Sequence, residues 1–268
     1  MGSDSRIVYT PRENKKISRF SRTRLFIYTG IFIFMAGGAV YAMRLPQWQI
    51  KEISLSGLVA LGEEEIISVI KESFSGNLAI LIPRSSFFMV RTQKLVAALE
   101  KKFPRIRQVV ITKSFPNFLM VSVKERRPFG IFCAVSRCAY VDDSGFAYEE
   151  APNSIGSLII KITSDAEDLK IPVQAVNNLL FERMKLVSEG LKDKFDFDTI
   201  GYQLFSKIPR EIRIATSYGF QIYVNRDDDF GGVFKVLKTV LDEEIKEKRA
   251  QLEYIDARFG NKVFYKMK

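Results

Sequence analysis

The chain has 268 residues, 47% hydrophobic and 27% charged, with a formal charge of +10. This is ordinary globular material, enough for roughly one to three domains, and it excludes a low-complexity polymer. Histidine is absent, which removes the commonest general base and metal ligand, and two cysteines cannot by themselves make a structural zinc site.

Residues 1–24 hold seven basic side chains (Arg6, Arg12, Lys15, Lys16, Arg19, Arg22, Arg24) against Asp4 and Glu13, a net +5. Alone, such a tail is solvated. Residues 25–43, LFIYTGIFIFMAGGAVYAM, carry no charge. As a helix they span about 28 Å, close to the ~30 Å hydrocarbon core of a bilayer. The basic excess ahead of them predicts an N-terminus in the cytoplasm and residues 44–268 beyond the cytoplasmic membrane. No second apolar run of that length follows, so a single crossing is expected. A buried core helix and a cleaved signal peptide are the competing readings. The run exceeds the usual ~7–15 apolar residues of a signal peptide, whereas Gly37 and Ala39 resemble a small-residue cleavage site. Gly38 and Ala42 form a small-xxx-small pair of the kind found in helix–helix contacts.

WQIKEISLSG alternates Trp48, Ile50, Ile53 and Leu55 with polar residues, allowing one slip, and predicts a strand ending at Gly57. GEEEIISVIKESF spaces Ile66, Ile70 and Phe74 by four, with Glu63–Glu65 in a first helical turn. TQKLVAALEKKFP predicts a second helix, capped by Thr92, faced by Leu95, Leu99 and Phe103 and stopped by Pro104. RIRQVVITKSF and NFLMVSVKE then alternate around Pro116-Asn117 as strand–turn–strand. The order is β-α-α-β-β. A domain boundary is expected at Arg127-Pro128, because a proline pushes the preceding residue into an extended conformation.

Beyond it, GIFC and RCAYV flank a short loop, DDSG (142–145) is a hairpin turn and SLIIKI is a strand. PVQAVNNLLFERMKLVSEGLK predicts a helix with Val176, Leu179, Leu180, Met184 and Val187 on one side. FDFDTIGYQLF, PREIRIAT and YGFQIYV read as successive antiparallel strands. GGVFKVLKTVLDEEIKEKRA predicts an amphipathic helix with Val233, Leu237, Val240, Leu241 and Ile245 inward and Glu243, Lys246, Glu247 and Lys248 outward. LEYIDARFGNKVFYKMK closes the sequence as two strands bent at Gly260-Asn261. The fold class is α+β: one transmembrane helix, a small β-α-α-β-β domain and a strand-rich antiparallel β domain with flanking helices. The expected limits are 1–24 for the tail, 25–43 for the helix, and 47–127 and 128–268 for the two domains.

No nucleophile motif, metal-ligand spacing or phosphate-binding glycine loop is present, so no catalytic residue, metal or cofactor is expected and the chain is read as a non-enzyme. The adjacent carboxylates Asp142 and Asp143 are read as turn residues. Gly231-Gly232 is read as a helix start. Cations elsewhere alternate with acids, so neither nucleic acid nor a small-molecule substrate is expected. Cys133 and Cys138 face each other across a four-residue loop. They are either two free thiols or, in an oxidising compartment, a disulfide.

The sequence resembles the FtsQ/DivIB cell-division family. The strings that carry the likeness are IKEISLSG, NLAILI, LEKKFPRIRQVVITKSFPNFLMVSVKERRPFGIF, AYVDDSGFAYEEAP and LEYIDARFGNKVFYKMK, in that order. The resemblance implies that residues 47–127 form a POTRA domain. It also implies a non-catalytic scaffold at the division septum that joins other divisome proteins and binds FtsB/DivIC-like and FtsL-like coiled-coil partners through the strand-rich domain. A closing strand with an unpaired edge is a template for strand addition. On that reading Phe259, Lys262, Val263, Phe264 and Tyr265 are the expected partner-binding residues, with Phe264 and Tyr265 as anchors. A POTRA-type transport or assembly module of the envelope is the alternative, and a cell-wall enzyme or its regulator a third.

Overall fold

Uniform apolarity from Leu25 onward gives one continuous helix, α1 (Arg19–Arg44). The computed structural model describes residues 19–75, 77–78, 82–153 and 159–268, with no side-chain description for 19–22, 77, 78 or 82. The first eighteen residues of the basic tail, and Ser157-Leu158 at the start of SLIIKI, lie outside the described residues. Within α1, Thr23–Arg44 has a mean hydropathy of 1.8 and none of its apolar window is buried against the rest of the protein. This removes the core-helix reading. By length and composition α1 can cross a membrane.

The described residues fall into two compact units. One contains α1 through Ser54, Glu64–Leu95 and Ile111–Val121; the other contains Leu55–Glu63, Val96–Val110 and Ser122–Lys268. A three-stranded sheet has the order β1 (Glu52–Ser56), β5 (Phe118–Glu125), β4 (Ile106–Ser114). Its first strand begins later than the alternation predicts, because Pro46–Trp48 form a 3-10 turn instead. Gly57 ends β1 at φ +82, and a Cβ there would meet the Val123 carbonyl oxygen at 2.1 Å, so only glycine fits. Helix α2 (Glu63–Ser73) buries Ile66, Val69 and Ile70. Helix α3 (Thr92–Lys102) buries Leu95 and Leu99, with Thr92 as its first helical residue rather than its cap. A two-residue ribbon, β2 (Asn77–Leu78) with β3 (Ile82–Pro83), was not expected from the sequence.

The second unit holds a ten-stranded sheet. Its strands are β6 (Gly130–Cys133), β7 (Cys138–Val141), β8 (Phe146–Ala151), β9 (Ile160–Ser164), β10 (Val173–Gln174), β11 (Thr199–Leu204), β12 (Glu211–Thr216), β13 (Gln221–Asn225), β14 (Leu252–Phe259) and β15 (Lys262–Met267). The spatial order is β10-β8-β7-β6-β9-β11-β12-β13-β14-β15. Most neighbours are antiparallel, but β9 runs parallel to β6 and β11, and β13 runs parallel to β14. Parallel neighbours need a crossover. Helix α4 (Asn178–Phe195) lies in the connection from β9 to β11, and α5 (Phe230–Thr239) in that from β13 to β14.

Both helices differ from their predicted extents. Asn177 caps α4 by accepting the Leu179 N–H at 2.9 Å, so Pro172-Val173-Gln174 stays extended and forms the short edge strand β10. The buried face of α4 is Leu180, Phe181, Met184, Val187, Leu191 and Phe195, while Leu179 points to solvent, one residue off that face. In α5, Asp229 accepts the N–H groups of Gly231 and Gly232, which places both glycines inside the first turn. The helix gives way to a π turn at Val240–Ile245 and a 3-10 turn at Lys246–Gln251, with Lys246 at φ +51. Leu237, Leu241 and Ile245 are buried as the pattern predicts, and Val240 is half-buried. Phe181, Phe197, Phe220, Ile214 and Ile222 are among the largest fully buried side chains of this core.

Candidate partner-binding edge

The closing hairpin is built by Gly260, whose φ of +67 turns β14 into β15. Among the described residues β15 pairs only with β14, in the register Tyr254↔Lys266, Ile255↔Tyr265 and Asp256↔Phe264. Among the described residues its other edge is open. The Lys268 N–H donates to the Gln251 carbonyl at 2.8 Å. Alternation along an extended strand then aims the N–H groups of Lys266 and Phe264 at β14, and those of Met267, Tyr265 and Val263 at the open edge.

The expected residues divide between the two faces. Val263 and Met267 pack on the core. Lys262 and Phe264 lie on the opposite, solvent face. Phe264 is 55% exposed, and the ring of Phe259 meets it edge-on at 5.3 Å between centroids. Tyr265 shares the side of Val263 but stays 44% exposed. Phe259 and Phe264 therefore form one aromatic pair, and Tyr265 stands apart from it.

An ionic and aromatic network that the sequence reading did not single out holds the strands beneath this edge. Glu211 on β12 has a side chain only 2% exposed, and its carboxylate accepts from Arg213 at 2.6 Å and from Arg258 of β14. Arg258 also forks onto Asp256, Nε to Oδ1 at 2.8 Å and Nη2 to Oδ2 at 2.5 Å. Burial raises the Asp256 pKa, but the Arg258 hydrogen bonds outweigh it and hold the carboxyl below its ordinary value. Arg213 lies over Tyr223 at 4.6 Å, and Tyr223 stacks on Tyr254 at 5.0 Å. The period-two alternation carried the signal: Glu211 and Arg213, Tyr223, then Tyr254, Asp256 and Arg258 occupy the polar phase of their strands.

A second constellation explains the ERRP string. The Glu125 carboxylate accepts the backbone N–H groups of Val59 at 2.7 Å, Ala60 at 3.1 Å and Leu61 at 3.1 Å. Burial raises its pKa, and these donors with Arg105 more than reverse that, leaving it lowered. Arg126 pairs with Asp142, whose side chain is fully buried. The other Asp142 oxygen accepts the Ser144 N–H at 2.9 Å, the Ser144 hydroxyl at 2.6 Å and the Phe146 N–H at 3.1 Å. DDSG is thus a turn, as read, but Asp142 also joins it to ERRP. The sulfurs of Cys133 and Cys138 are bonded, at opposite positions of the β6–β7 hairpin. Among the described residues no cluster of three or more His, Cys, Asp or Glu is placed to hold a metal ion.

Residues 48–126 match the POTRA domain, FtsQ-type, family model. The chain is 26% identical over 231 residues to the cell division protein FtsQ of Geobacter sp. (strain M21), covering 81% of this chain and 76% of that protein. It is 24% identical over 207 residues to the cell division protein FtsQ of Streptomyces coelicolor, covering 75% of this chain and 70% of that protein. Together these matches support the FtsQ/DivIB family for this chain. The mixed α+β architecture, with an apolar N-terminal helix, a POTRA domain and a large β-sheet, agrees with those matches. The FtsQ relatives support a role in cell division and, with the apolar N-terminal helix, a membrane-anchored chain. A POTRA domain and FtsQ relatives also fit a chain that is not an enzyme.

Proposed function

We propose that this chain is a divisome scaffold of the FtsQ/DivIB family, anchored in the cytoplasmic membrane by α1, that binds FtsB/DivIC-like and FtsL-like coiled-coil partners by strand addition to β15. The N-terminus lies in the cytoplasm, residues beyond α1 lie outside it, and the protein works at the septum. The domain limits are 47–127 and 128–268, with the boundary at Arg127-Pro128. The observation that supports this reading best is the open edge of β15 beside the exposed Phe259–Phe264 pair. An unpaired row of N–H and C=O groups on a strand held rigidly by its neighbours gains backbone hydrogen bonds without reordering.

Proline scanning of β15 in the full-length chain tests it. Val263→Pro and Tyr265→Pro remove donors that face the open edge, which an edge strand tolerates. Each should leave the protein folded and weaken capture of the coiled-coil partner about tenfold, the worth of one backbone hydrogen bond. Phe264→Pro removes a donor facing β14 and should unfold the hairpin. Phe264→Ala should keep the fold and cost more than ~2 kcal/mol of binding. Folded Val263→Pro and Tyr265→Pro variants that bind at wild-type strength would move the interface away from β15.

A further inference from the structure

Helix α1 does not release the chain into a free linker. The Leu45 N–H donates to Ala42 O at 3.1 Å, the Trp48 N–H to Leu45 O at 3.0 Å, and the Gln49 side-chain amide to Arg44 O at 3.1 Å. The backbone at Trp48–Ile50 is in turn bound to the segment after β3. The Phe87 N–H donates to Trp48 O at 2.8 Å, the Ile50 N–H to Ser85 O at 2.9 Å, and Gln49 and Ser86 form an antiparallel bridge. β3 itself lies against α1. The segment 84–91, RSSFFMVR, is therefore tied to the C-terminal end of α1.

Its composition is that of a membrane interface. Phe88 is 47% exposed and meets Trp48 edge-on at 5.5 Å, and Phe87 meets Phe88 and the exposed Phe115 at 5.7 and 5.6 Å. Lys113 fixes the segment by donating to the carbonyls of Phe87 and Val90 at 2.9 and 3.1 Å. Beside Phe88 opens a cleft of about 580 Å³ lined by Phe74, Met89 and Leu95 and by three cations, Arg84, Arg91 and Lys94, with no acid among its lining residues. All three cations are exposed. If α1 spans the bilayer and ends at the hydrocarbon boundary, the short chain path puts Trp48 at headgroup depth. The 3-10 turn Pro46–Trp48 advances only ~2 Å per residue past the end of α1. The polar headgroup layer is roughly 5–8 Å thick on each side of the hydrocarbon core. Trp48, and Phe88 in contact with it, fall within that layer. Aromatic rings flanked by cations are the side chains favoured there, and anionic headgroups complement the cations.

We propose that this aromatic and cationic face of the first unit, Trp48, Phe88, Arg84, Arg91 and Lys94, docks on the anionic-lipid surface of the leaflet from which α1 emerges. The proposal rests on α1 spanning the bilayer. Docking would hold the first unit flat to the membrane.

Trp48 is the only tryptophan in the sequence, which permits a direct test on the full-length chain in phosphatidylcholine vesicles with and without phosphatidylglycerol. Quenching by lipids brominated near the headgroup is read first from native Trp48, then from Phe88→Trp in a Trp48→Phe background. Expected are quenching at both positions in anionic vesicles and a fall at the second position with Arg84→Gln and Arg91→Gln. Each cation removed should lower the docked-to-free ratio about fivefold, and high salt should act in the same direction. Quenching of Trp48 without Phe88→Trp would overturn docking while leaving the span intact. Quenching of neither would overturn the span and docking together. Quenching at Phe88→Trp that ignores phosphatidylglycerol, salt and the Arg substitutions would overturn the anionic-lipid assignment. Amide exchange of the unaltered protein gives a second reading that does not depend on the folding of a substituted chain. Residues 84–91 should exchange more slowly in anionic than in neutral vesicles, and equal rates would refute docking.

Discussion

Breaking the Arg126–Asp142 pair should cost the second unit more than any surface ion pair in the chain. The Asp142 side chain is wholly buried and that of Arg126 is 18% exposed. Arg126 also donates to Pro104 O at 3.1 Å and covers the Phe146 ring at 4.2 Å. Truncating one partner of a buried pair costs about 3–5 kcal/mol, because the other charge is left uncompensated. Here Ser144 and Phe146 still donate to Asp142, which lowers the penalty, while the lost cation–π contact adds about 1 kcal/mol. Arg126→Ala should therefore destabilise by about 3–4 kcal/mol. Asp142→Asn keeps an acceptor for the turn but faces Arg126 without charge, and should cost about 2 kcal/mol. Both changes remove the same interaction, so the double variant should fall short of additivity by about 1–2 kcal/mol. Pulse proteolysis of the full-length chain in detergent across a urea series, followed on fragments of the second unit, measures all three. Additive effects, or single effects within about 0.5 kcal/mol of wild type, would refute the coupling. The pH dependence carries a sign. Burial raises the Asp142 pKa, but Ser144, Arg126 and Phe146 together hold it below the ordinary 3.8. Its contribution is complete above that value and is lost as pH falls through the lower folded pKa. Asp142→Asn should flatten that acid limb.

Glu125→Gln should destabilise by about 1–2 kcal/mol, since a neutral amide oxygen replaces a carboxylate before three backbone donors. Its folded pKa is lowered from 4.5, so the variant should also lose part of the stability decline that acid titration shows below that pH. Cys133→Ala with Cys138→Ala should cost at most about 2 kcal/mol, because the closed loop is short. Thiol blocking before denaturation, read by mass spectrometry on protein from its native envelope, should find no alkylated cysteine in the parent chain. A cysteine introduced at Thr10 should resist an impermeant thiol reagent in intact cells while one at Glu150 reacts, and the reverse labelling would overturn the proposed orientation.

Local chemistry alone determined much of this protein. The uncharged run 25–43, the spacing of Ile66 and Ile70, the alternation of NFLMVSVKE and the Gly260 bend each encode an element through side-chain period and backbone preference, and none needs a distant partner to be read. The ends of α4 and α5 were less legible. Asn177 and Asp229 make caps only through side-chain bonds that compete with further helix, and the π turn at Val240–Ile245 has no period of its own. What only the tertiary structure decided is long-range pairing. The parallel placement of β14 beside β13 leaves β15 at an edge, and only that neighbour order opens its outer donors. Period two marks Glu211, Arg213 and Arg258 as outward, but no local rule says that Arg258 crosses to Glu211, forty-seven positions away in sequence. Likewise ERRP and DDSG read as a junction and a turn, and become one buried ion pair only when the chain between them folds back, because desolvation gives Arg126 and Asp142 a strong mutual dependence that neither has alone.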